Sequence, residues 1–345
     1  MASPKIRTLR LSHVHYQHPD LDKAEQFLLD FGLTIVSKKG EKVFFQGYGI
    51  QPYCYVAERS PDGKRHFKGG YWVVETAEDL HSATLLDNAT EIRENTGPGG
   101  GQVVEVQDPN GYVVGFVYGQ ALKSSSGAGE NHLEKTSPVS NKALSKKRVG
   151  GVRRFTQGPS PVHKLGHYGF VVPADRFAST LTWYTTHLNL KSTDMIFDPV
   201  TGKTEACFIH IDLGKEYTDH HSFFLSVNAT SNGTFVHHTS FEVDDFDTQV
   251  LGHDWLRSRG WTNCWGVGRH VLGSQIFDYW FDAAGNIIEH YSDGDLVNED
   301  TDLGREPAAP DSLYIWGPNV PLGFVTRELE DAGKLVPLPP SVTPN

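Results

Sequence analysis

Three residues of the kind that bind metal ions stand in separate predicted strands of the second half of the sequence. They are His167 in LGHYGFVV, His238 in FVHHTSFEVDDFD and Glu289 in NIIEHY. Two neutral imidazoles and one carboxylate can occupy one face of a divalent ion and leave the other positions for substrate and O2, as in non-haem Fe(II) enzymes. Mn(II) also accepts this set, and zinc with such ligands usually activates water. The residues therefore predict a metal centre and leave the metal open.

The first half of the sequence carries weaker counterparts of these residues. Matched strand by strand, the pairs are His13 with His167, Tyr71 with His238, and Gly115 with Glu289. A repeat that has ligand-type side chains in one copy and lacks two of them in the other indicates one working site and one scaffold copy.

Strand alternation separates the two adjacent histidines in the middle strand. His238 shares a face with Ser240, and His237 shares the opposite, more apolar face with Phe241. The pattern predicts that His238 faces a polar cavity and binds the metal. It predicts that His237 points outward, to the helix side or to solvent, and is dispensable to the chemistry.

Other polar residues lie near these strands in sequence but not at repeat-matched positions. His221 lies in DHHSFFLSV, and His270 and Tyr279 lie in RHVLGSQIFDYWFD. Histidine and tyrosine can take and return protons beside a metal-bound substrate. Taken one at a time, they are equally well explained as hydrogen-bonded cavity or surface residues.

The elements that must position these residues form an internal repeat. Each half reads as a strand, an amphipathic helix and several further strands, and each closes with an Asp-started turn, DPNG at 108–111 and DAAG at 282–285. The predicted fold class is α+β, with tandem paired βαβββ repeats forming curved mixed sheets around a metal cavity.

Composition divides the 345-residue chain into four segments. Residues 1–120 form a first repeat without an intact metal site, and residues 161–303 form the second, catalytic repeat. Residues 121–160, rich in Ser, Gly, Lys and Arg, are predicted to be a linker. The Pro-rich residues 304–345 are predicted to be a tail that wraps the surface.

The charge, hydropathy and cysteine content of the chain limit the partners and the compartment that we expect. With 42 acidic and 31 basic residues the formal net charge is −11, which argues against a nucleic-acid partner. No apolar stretch is long enough to predict a signal peptide or a membrane span. The three cysteines have no metal-binding or disulfide spacing, so we expect a reducing cytoplasm.

The segments LGHYGFVV, FVHHTSFEVDDFD and FDAAGNIIEHYSDGD together resemble the type I extradiol ring-cleavage dioxygenases of the vicinal oxygen chelate superfamily. The resemblance covers residues 9–120 and 162–294, and it implies the fold of that superfamily. By position it implies that His167, His238 and Glu289 bind Fe(II), with Mn(II) in some members. It further implies that His221 is an acid/base that stabilises bound oxygen, and that His270 and Tyr279 hydrogen-bond the diol. Trp265 stands where some members place an arginine for a substrate carboxylate.

The resemblance implies a catechol-type substrate cleaved by O2 next to one hydroxyl, and a homo-oligomer. Two alternatives remain from the sequence. One is another metalloenzyme on the same scaffold, such as a glyoxalase-type isomerase or a lyase. Such enzymes tend to build their site from both halves or across a dimer, and Tyr71 and Gly115 stand where the first half would need metal ligands. The other is a non-catalytic protein that binds small aromatic molecules.

Overall fold

The computed structural model describes residues 5–123, 141–151, 156–228, 233–309 and 312–336. Most of the predicted linker lies outside the described residues. Among the described residues, no helix is both long and apolar enough to cross a membrane.

The first half forms an eight-stranded mixed sheet in the order β2-β3-β4-β1-β5-β8-β7-β6. Its elements are β1 Thr8–His18, α1 Leu21–Asp30, β2 Thr34–Lys39, β3 Lys42–Gln46, β4 Tyr55–Arg59, β5 His66–Val74, α2 Ala77–Ala83, β6 Arg93–Glu94, β7 Gln102–Gln107 and β8 Val113–Tyr118.

The second half forms a nine-stranded sheet in the order β15-β16-β17-β14-β9-β13-β11-β10-β19, and a small β12-β18 pair. Its elements are β9 Val162–Pro173, α3 Ala174–His187, β10 Leu190–Phe197, β11 Thr204–Ile211, β12 Thr218–Asp219, β13 Phe223–Asn228, β14 Phe235–Val243, α4 Phe246–Ser258, β15 Thr262–Arg269, β16 Ile276–Phe281, β17 Ile287–Ser292, β18 Leu296–Val297, β19 Gly304–Pro307, α5 Leu322–Thr326 and a 3-10 turn Leu329–Asp331.

The two sheets have the same strand order, apart from β19 at the edge of the second. In each, the opening strand pairs in parallel with the fourth repeat strand and antiparallel with the next strand. The predicted α+β fold of repeated units with curved mixed sheets is confirmed.

Acidic residues fix the turn after β14 and the turn before β17. Asp245 caps α4 by accepting a hydrogen bond from the Thr248 backbone N–H at 2.8 Å. Asp282 accepts from the backbone N–H groups of Ala284 and Asn286, at 2.7 and 2.8 Å, and so closes the DAAG turn before β17. One turn fixes the end of β14, which carries His238, and the other fixes the start of β17, which carries Glu289.

One continuous apolar core joins the halves. Trp72 Nε1 on β5 donates to the Tyr168 hydroxyl on β9 at 3.1 Å. His290 on β17 donates through Nε2 to the Phe31 carbonyl at 2.7 Å and stacks on its ring. The first repeat therefore supports the back of the sheet that holds the predicted metal ligands.

Candidate metal centre

Three neighbouring strands bring the predicted ligands together. His167 lies on β9, His238 on β14 and Glu289 on β17, and β14 runs between the other two strands. All three side chains are buried, at 1%, 6% and 0% exposure. They form a cluster suited to one metal ion.

The ligand atoms converge on a single point. His167 Nε2 lies 3.2 Å from His238 Nε2 and 3.1 Å from Glu289 Oε2. His238 Nε2 lies 3.6 Å from the same carboxylate oxygen. Bonds of about 2.1 Å at right angles place ligand atoms about 3 Å apart. The spacing therefore matches three ligands on one face of an ion.

The Glu289 carboxylate shows why a cation fits here. Both of its oxygens are buried and have no hydrogen-bond partner among the described residues. A buried carboxylate without a compensating charge or donor is costly. A divalent ion held between two imidazoles and this carboxylate removes that cost, so the residues fit the two-histidine, one-carboxylate metal site.

The prediction that His237 points outward was wrong. The β14 ladder slips between Val236 and His238, and this irregularity places His237 half-buried beneath Phe324 of α5. Its Nε2 donates to the Phe324 carbonyl at 3.1 Å. Its Nδ1 lies 2.8 Å from Nδ1 of His238 and must accept that bond, so His238 keeps Nδ1–H and an unprotonated Nε2 for a metal.

The match of Tyr71 with His238 was also wrong. In the first sheet Tyr71 lies opposite His13 and Gly115, whereas in the second sheet Ser240 lies opposite His167 and Glu289. The true counterpart of Tyr71 is therefore Ser240. By the same register His238 corresponds to Gly69, which still leaves the first half without an intact ligand set.

The first-half counterpart of the site is filled by an aromatic ring. A Cβ atom added at Gly115 would lie 2.0 Å from the Tyr71 ring, so this tyrosine occupies the space of a larger side chain there. His13 stacks on Tyr71 with ring centroids 4.1 Å apart. This half supplies scaffold rather than ligands.

A cavity of about 170 Å³ opens in front of the triad. Besides His167 and His238 it is lined by four other residues that the sequence singled out, His221, His237, His270 and Tyr279. Among the described residues, no lysine, arginine, aspartate or glutamate lines it. The structure thus brings the predicted residues around one space, while their individual roles stay predictions.

His270 and Tyr279 form a directed hydrogen bond. His270 Nδ1 donates to the Leu313 carbonyl at 2.7 Å, so its Nε2 must accept. The Tyr279 hydroxyl therefore donates to that Nε2 at 2.8 Å. Burial raises the pKa of Tyr279 well above its usual value, with a further contribution from the Glu289 carboxylate, and burial lowers the pKa of His270.

His221 stands against the first ligand. Its ring centroid lies 4.0 Å from that of His167, and the side chain is 4% exposed. Burial lowers the pKa of His221 well below its usual value, and the neighbouring imidazoles lower it further. A neutral imidazole at this place can accept a proton from a group bound in the cavity.

Residues of the tail complete the cavity, which the sequence did not predict. Ser312, Leu313 and Phe324 line it, and the Phe324 ring lies 4.9 Å from that of Tyr279. Trp265 Nε1 anchors the same segment by donating to the Pro318 carbonyl at 2.8 Å. The tail therefore closes the cavity as well as crossing the surface, and no local sequence signal marks these contacts.

Fold and site together define a metalloprotein built from paired βαβββ repeats, with its metal centre in the second. Residues 164–290 match the family model described as Glyoxalase/Bleomycin resistance protein/Dioxygenase superfamily. The match spans most of the second repeat, including all three residues of the metal centre.

Relatives cover nearly the whole chain. Metapyrocatechase 2 from Cupriavidus necator is 29% identical over 332 residues, which is 94% of this chain and 93% of that protein. Homoprotocatechuate 2,3-dioxygenase from Brevibacterium fuscum, in complex with 3,4-dihydroxyphenylacetate, aligns with a TM-score of 0.76 at 17% identity, over 94% of both chains. The Mn(II)-bound glyoxalase from Novosphingobium aromaticivorans aligns with a TM-score of 0.73 at 18% identity, over 91% of this chain and 93% of that one.

Proposed function

We propose that the chain is an extradiol dioxygenase that opens a catechol-type ring with O2 next to one hydroxyl. The observation that carries this proposal is the position of His221, His270 and Tyr279 around the same cavity as the His167, His238 and Glu289 cluster. The near full-length similarity to a metapyrocatechase supports it. Fe(II) is the proposed metal and Mn(II) the alternative.

When bound, the divalent ion supplies a Lewis acid with open positions for a diol and for O2. Side chains of the protein accept and return protons and orient the substrate. His221 accepts a proton from the substrate hydroxyl and returns it when the O–O bond breaks. Tyr279 and His270, already joined by a hydrogen bond, orient the diol oxygens. The apolar wall excludes water.

The lining of the cavity favours an uncharged ring as the substrate. Its walls include Phe208, Phe224, Trp265, Leu272 and Phe324. A carboxylate on the substrate would lack a cationic partner here, which is costly in an apolar cavity. We therefore propose catechols that are unsubstituted or carry apolar groups.

Oxygen uptake tests the proposal. Protein loaded anaerobically with Fe(II) should consume O2 with catechol or methylcatechol and form a yellow ring-fission product. The value of kcat/KM for 3,4-dihydroxyphenylacetate should be at least about tenfold lower, the cost of one unpaired polar group. No oxygen uptake with any catechol would contradict the proposal.

A glyoxalase-type isomerase is the second candidate, because a Mn(II)-bound glyoxalase shares the fold. Isomerisation consumes no O2, so the same measurement separates the two reactions. The Tyr71 ring in the first-half counterpart of the site favours the dioxygenase, since it removes a second set of ligands.

We also propose a reducing cytoplasm and a homo-oligomeric assembly. Cys54, Cys207 and Cys264 are free, buried thiols, and burial raises the pKa of Cys207 to about 11. Such thiols need no oxidising compartment. Mass photometry of the purified protein gives its oligomeric state directly.

A further inference from the structure

A second pair of adjacent histidines lies next to β13, which flanks β9 on the side opposite to β14 with its pair His237 and His238. His220 and His221 precede β13, and each is only 4% exposed. His220 Nε2 lies 2.6 Å from Asp194 Oδ2 on β10. His220 Nδ1 lies 3.1 Å from His221 Nδ1. The three side chains form a chain of hydrogen bonds that leads to the ring beside His167.

The donors in this chain can be assigned from its end. An ionised carboxylate only accepts, so His220 Nε2 carries the hydrogen and, in a neutral ring, His220 Nδ1 accepts. His221 must then donate through Nδ1. Its other nitrogen, Nε2, is left as a lone pair on a ring that lines the cavity.

The surrounding backbone is shaped to hold this chain. Gly304 of β19 lies opposite Asp194, and a Cβ atom at Gly304 would lie 1.7 Å from the Asp194 Oδ1 atom. A Cβ atom at Gly273 would lie 2.8 Å from His220 Nδ1. Thr193 Oγ1 donates to the His220 carbonyl at 2.7 Å. Two glycines leave room for the carboxylate and the ring, and one hydroxyl fixes the backbone.

We propose that Asp194 and His220 are positioning residues that hold His221 in the Nδ1–H tautomer, so that its Nε2 can accept a proton from the substrate hydroxyl. The proposal rests on the proposed function for its last step, the proton acceptance. The tautomer itself is a property of the hydrogen bonds and is measurable without turnover.

Four variants test it. Asp194→Leu removes the acceptor, and His220→Phe removes the intermediate ring. Asp194→Asn keeps an acceptor oxygen and should restore wild-type behaviour. Asp219→Leu is the control, since this carboxylate bonds Lys164, which keeps Glu242 as a partner at 3.5 Å.

The first readout is the tautomer, from long-range ¹H–¹⁵N correlation spectra of histidine-labelled, Zn(II)-loaded protein, with His221→Gln for assignment. Wild type, Asp194→Asn and Asp219→Leu should show His221 protonated at Nδ1. Asp194→Leu and His220→Phe should show it shifted toward Nε2–H. An unchanged tautomer in both of these variants, or an imidazolium at His220 in wild type, would overturn the proposal.

The second readout is steady-state kinetics of Fe(II)-loaded protein with catechol. In Asp194→Leu, kcat should fall about 10- to 100-fold with KM nearly unchanged, and Asp194→Asn should recover it. A changed tautomer with unchanged kcat would overturn the positioning role. Absence of turnover in wild type would instead count against the proposed function, and the spectra would still decide the tautomer. Metal content and thermal unfolding identify any variant that fails to fold.

Discussion

Both adjacent histidine pairs contain one ring next to His167 and one neighbour that accepts its Nδ1–H. His238 is held by His237, which donates to the Phe324 carbonyl, and His221 is held by His220, which donates to Asp194. In each pair the carbonyl or carboxylate at the end only accepts, so the outer histidine donates through Nε2 and accepts through Nδ1. The inner ring is then left with a free Nε2. A histidine that reads as redundant in the sequence thus has a defined place in the hydrogen bonding of the site.

Glu289→Gln should abolish metal binding. The amide has the same shape but no charge, and it is a poor ligand beside two imidazoles. We expect metal affinity to fall by more than the roughly 10- to 100-fold that is typical of changes one shell further out. The measurement is metal content after anaerobic loading with Fe(II).

The control for this change is Glu242→Gln on β14, whose carboxylate bonds His163 and Lys164 away from the triad. The metal-free Glu289→Gln protein should unfold at a temperature no lower than metal-free wild type, since it loses an unpartnered buried charge. A variant that kept full metal content and turnover would disprove the triad.

His237→Phe should weaken metal binding without removing a ligand. The phenyl ring keeps the contact with Phe324, but the Nδ1–H of His238 loses its acceptor, so its free nitrogen is no longer fixed toward the metal. Affinity for Mn(II), measured by competition with a chelator, should fall about 10- to 100-fold. His237→Gln offers a donor and an acceptor and should recover part of it. His163→Phe, on β9 and 39% exposed, should have no effect, and equal affinities in all variants would refute this role.

At the scale of elements, the succession of strands and helices along the chain and the turns between them were predictable from the sequence. The register in which neighbouring strands pair was not. Apolar strands, the acidic caps and the two Asp-started turns are encoded locally, which is why the repeat could be found. The match of Tyr71 with His238 was wrong by two residues, and only the pairing of the strands shows that Ser240 is the counterpart of Tyr71. Glu289 was matched correctly because Glu289 and Gly115 stand at the same distance from the aspartates of the two Asp-started turns, Asp282 and Asp108. The contribution of the tail depends on long-range contacts that no local pattern records.

Helix α5 should control access to the cavity through one side chain. The Phe324 ring lies 4.7 to 4.9 Å from those of His237, Trp265 and Tyr279. Phe324→Ala removes that wall, and about 1.5 kcal/mol of lost apolar contact corresponds to roughly a tenfold rise in KM for catechol. Leu329→Ala, 46% exposed in the same segment, is the control. Equal KM values for catechol in the two variants would show that the Phe324 side chain does not form a wall of the substrate cavity.

At the scale of the whole molecule, the two repeats are joined by polar contacts set into the shared core. Asp30 at the end of α1 accepts from Trp261 Nε1 at 2.9 Å and from Trp255 Nε1 at 3.3 Å, both from the second repeat. His290 donates to the Phe31 carbonyl beside it. Since Glu289 precedes His290 on β17, the contact between the repeats also fixes the strand that carries the proposed carboxylate ligand.

This contact makes the stability of the molecule depend on pH. His290 is fully buried, and its Nε2–H already donates to the Phe31 carbonyl. Its Nδ1 has no hydrogen-bond partner within the part of the chain that the structure describes, and burial lowers the pKa of His290 from 6.5 to about 3. Above pH 6.5 the ring is neutral in both the folded and the unfolded chain. As pH falls below 6.5, only the unfolded chain takes up the proton, so the free energy of unfolding decreases.

The expected loss from this one residue is about 1.4 kcal/mol per pH unit between pH 6 and pH 4. Urea unfolding of metal-free protein across this range measures the slope. His290→Gln can still donate to the Phe31 carbonyl but cannot titrate, so its slope should be smaller by about one proton. Other buried histidines, such as His210 with a pKa lowered by burial to about 4, contribute equally to both proteins and cancel in the comparison. If the free energy of unfolding fell with the same slope in both proteins, protonation of His290 would not contribute to the loss of stability in acid.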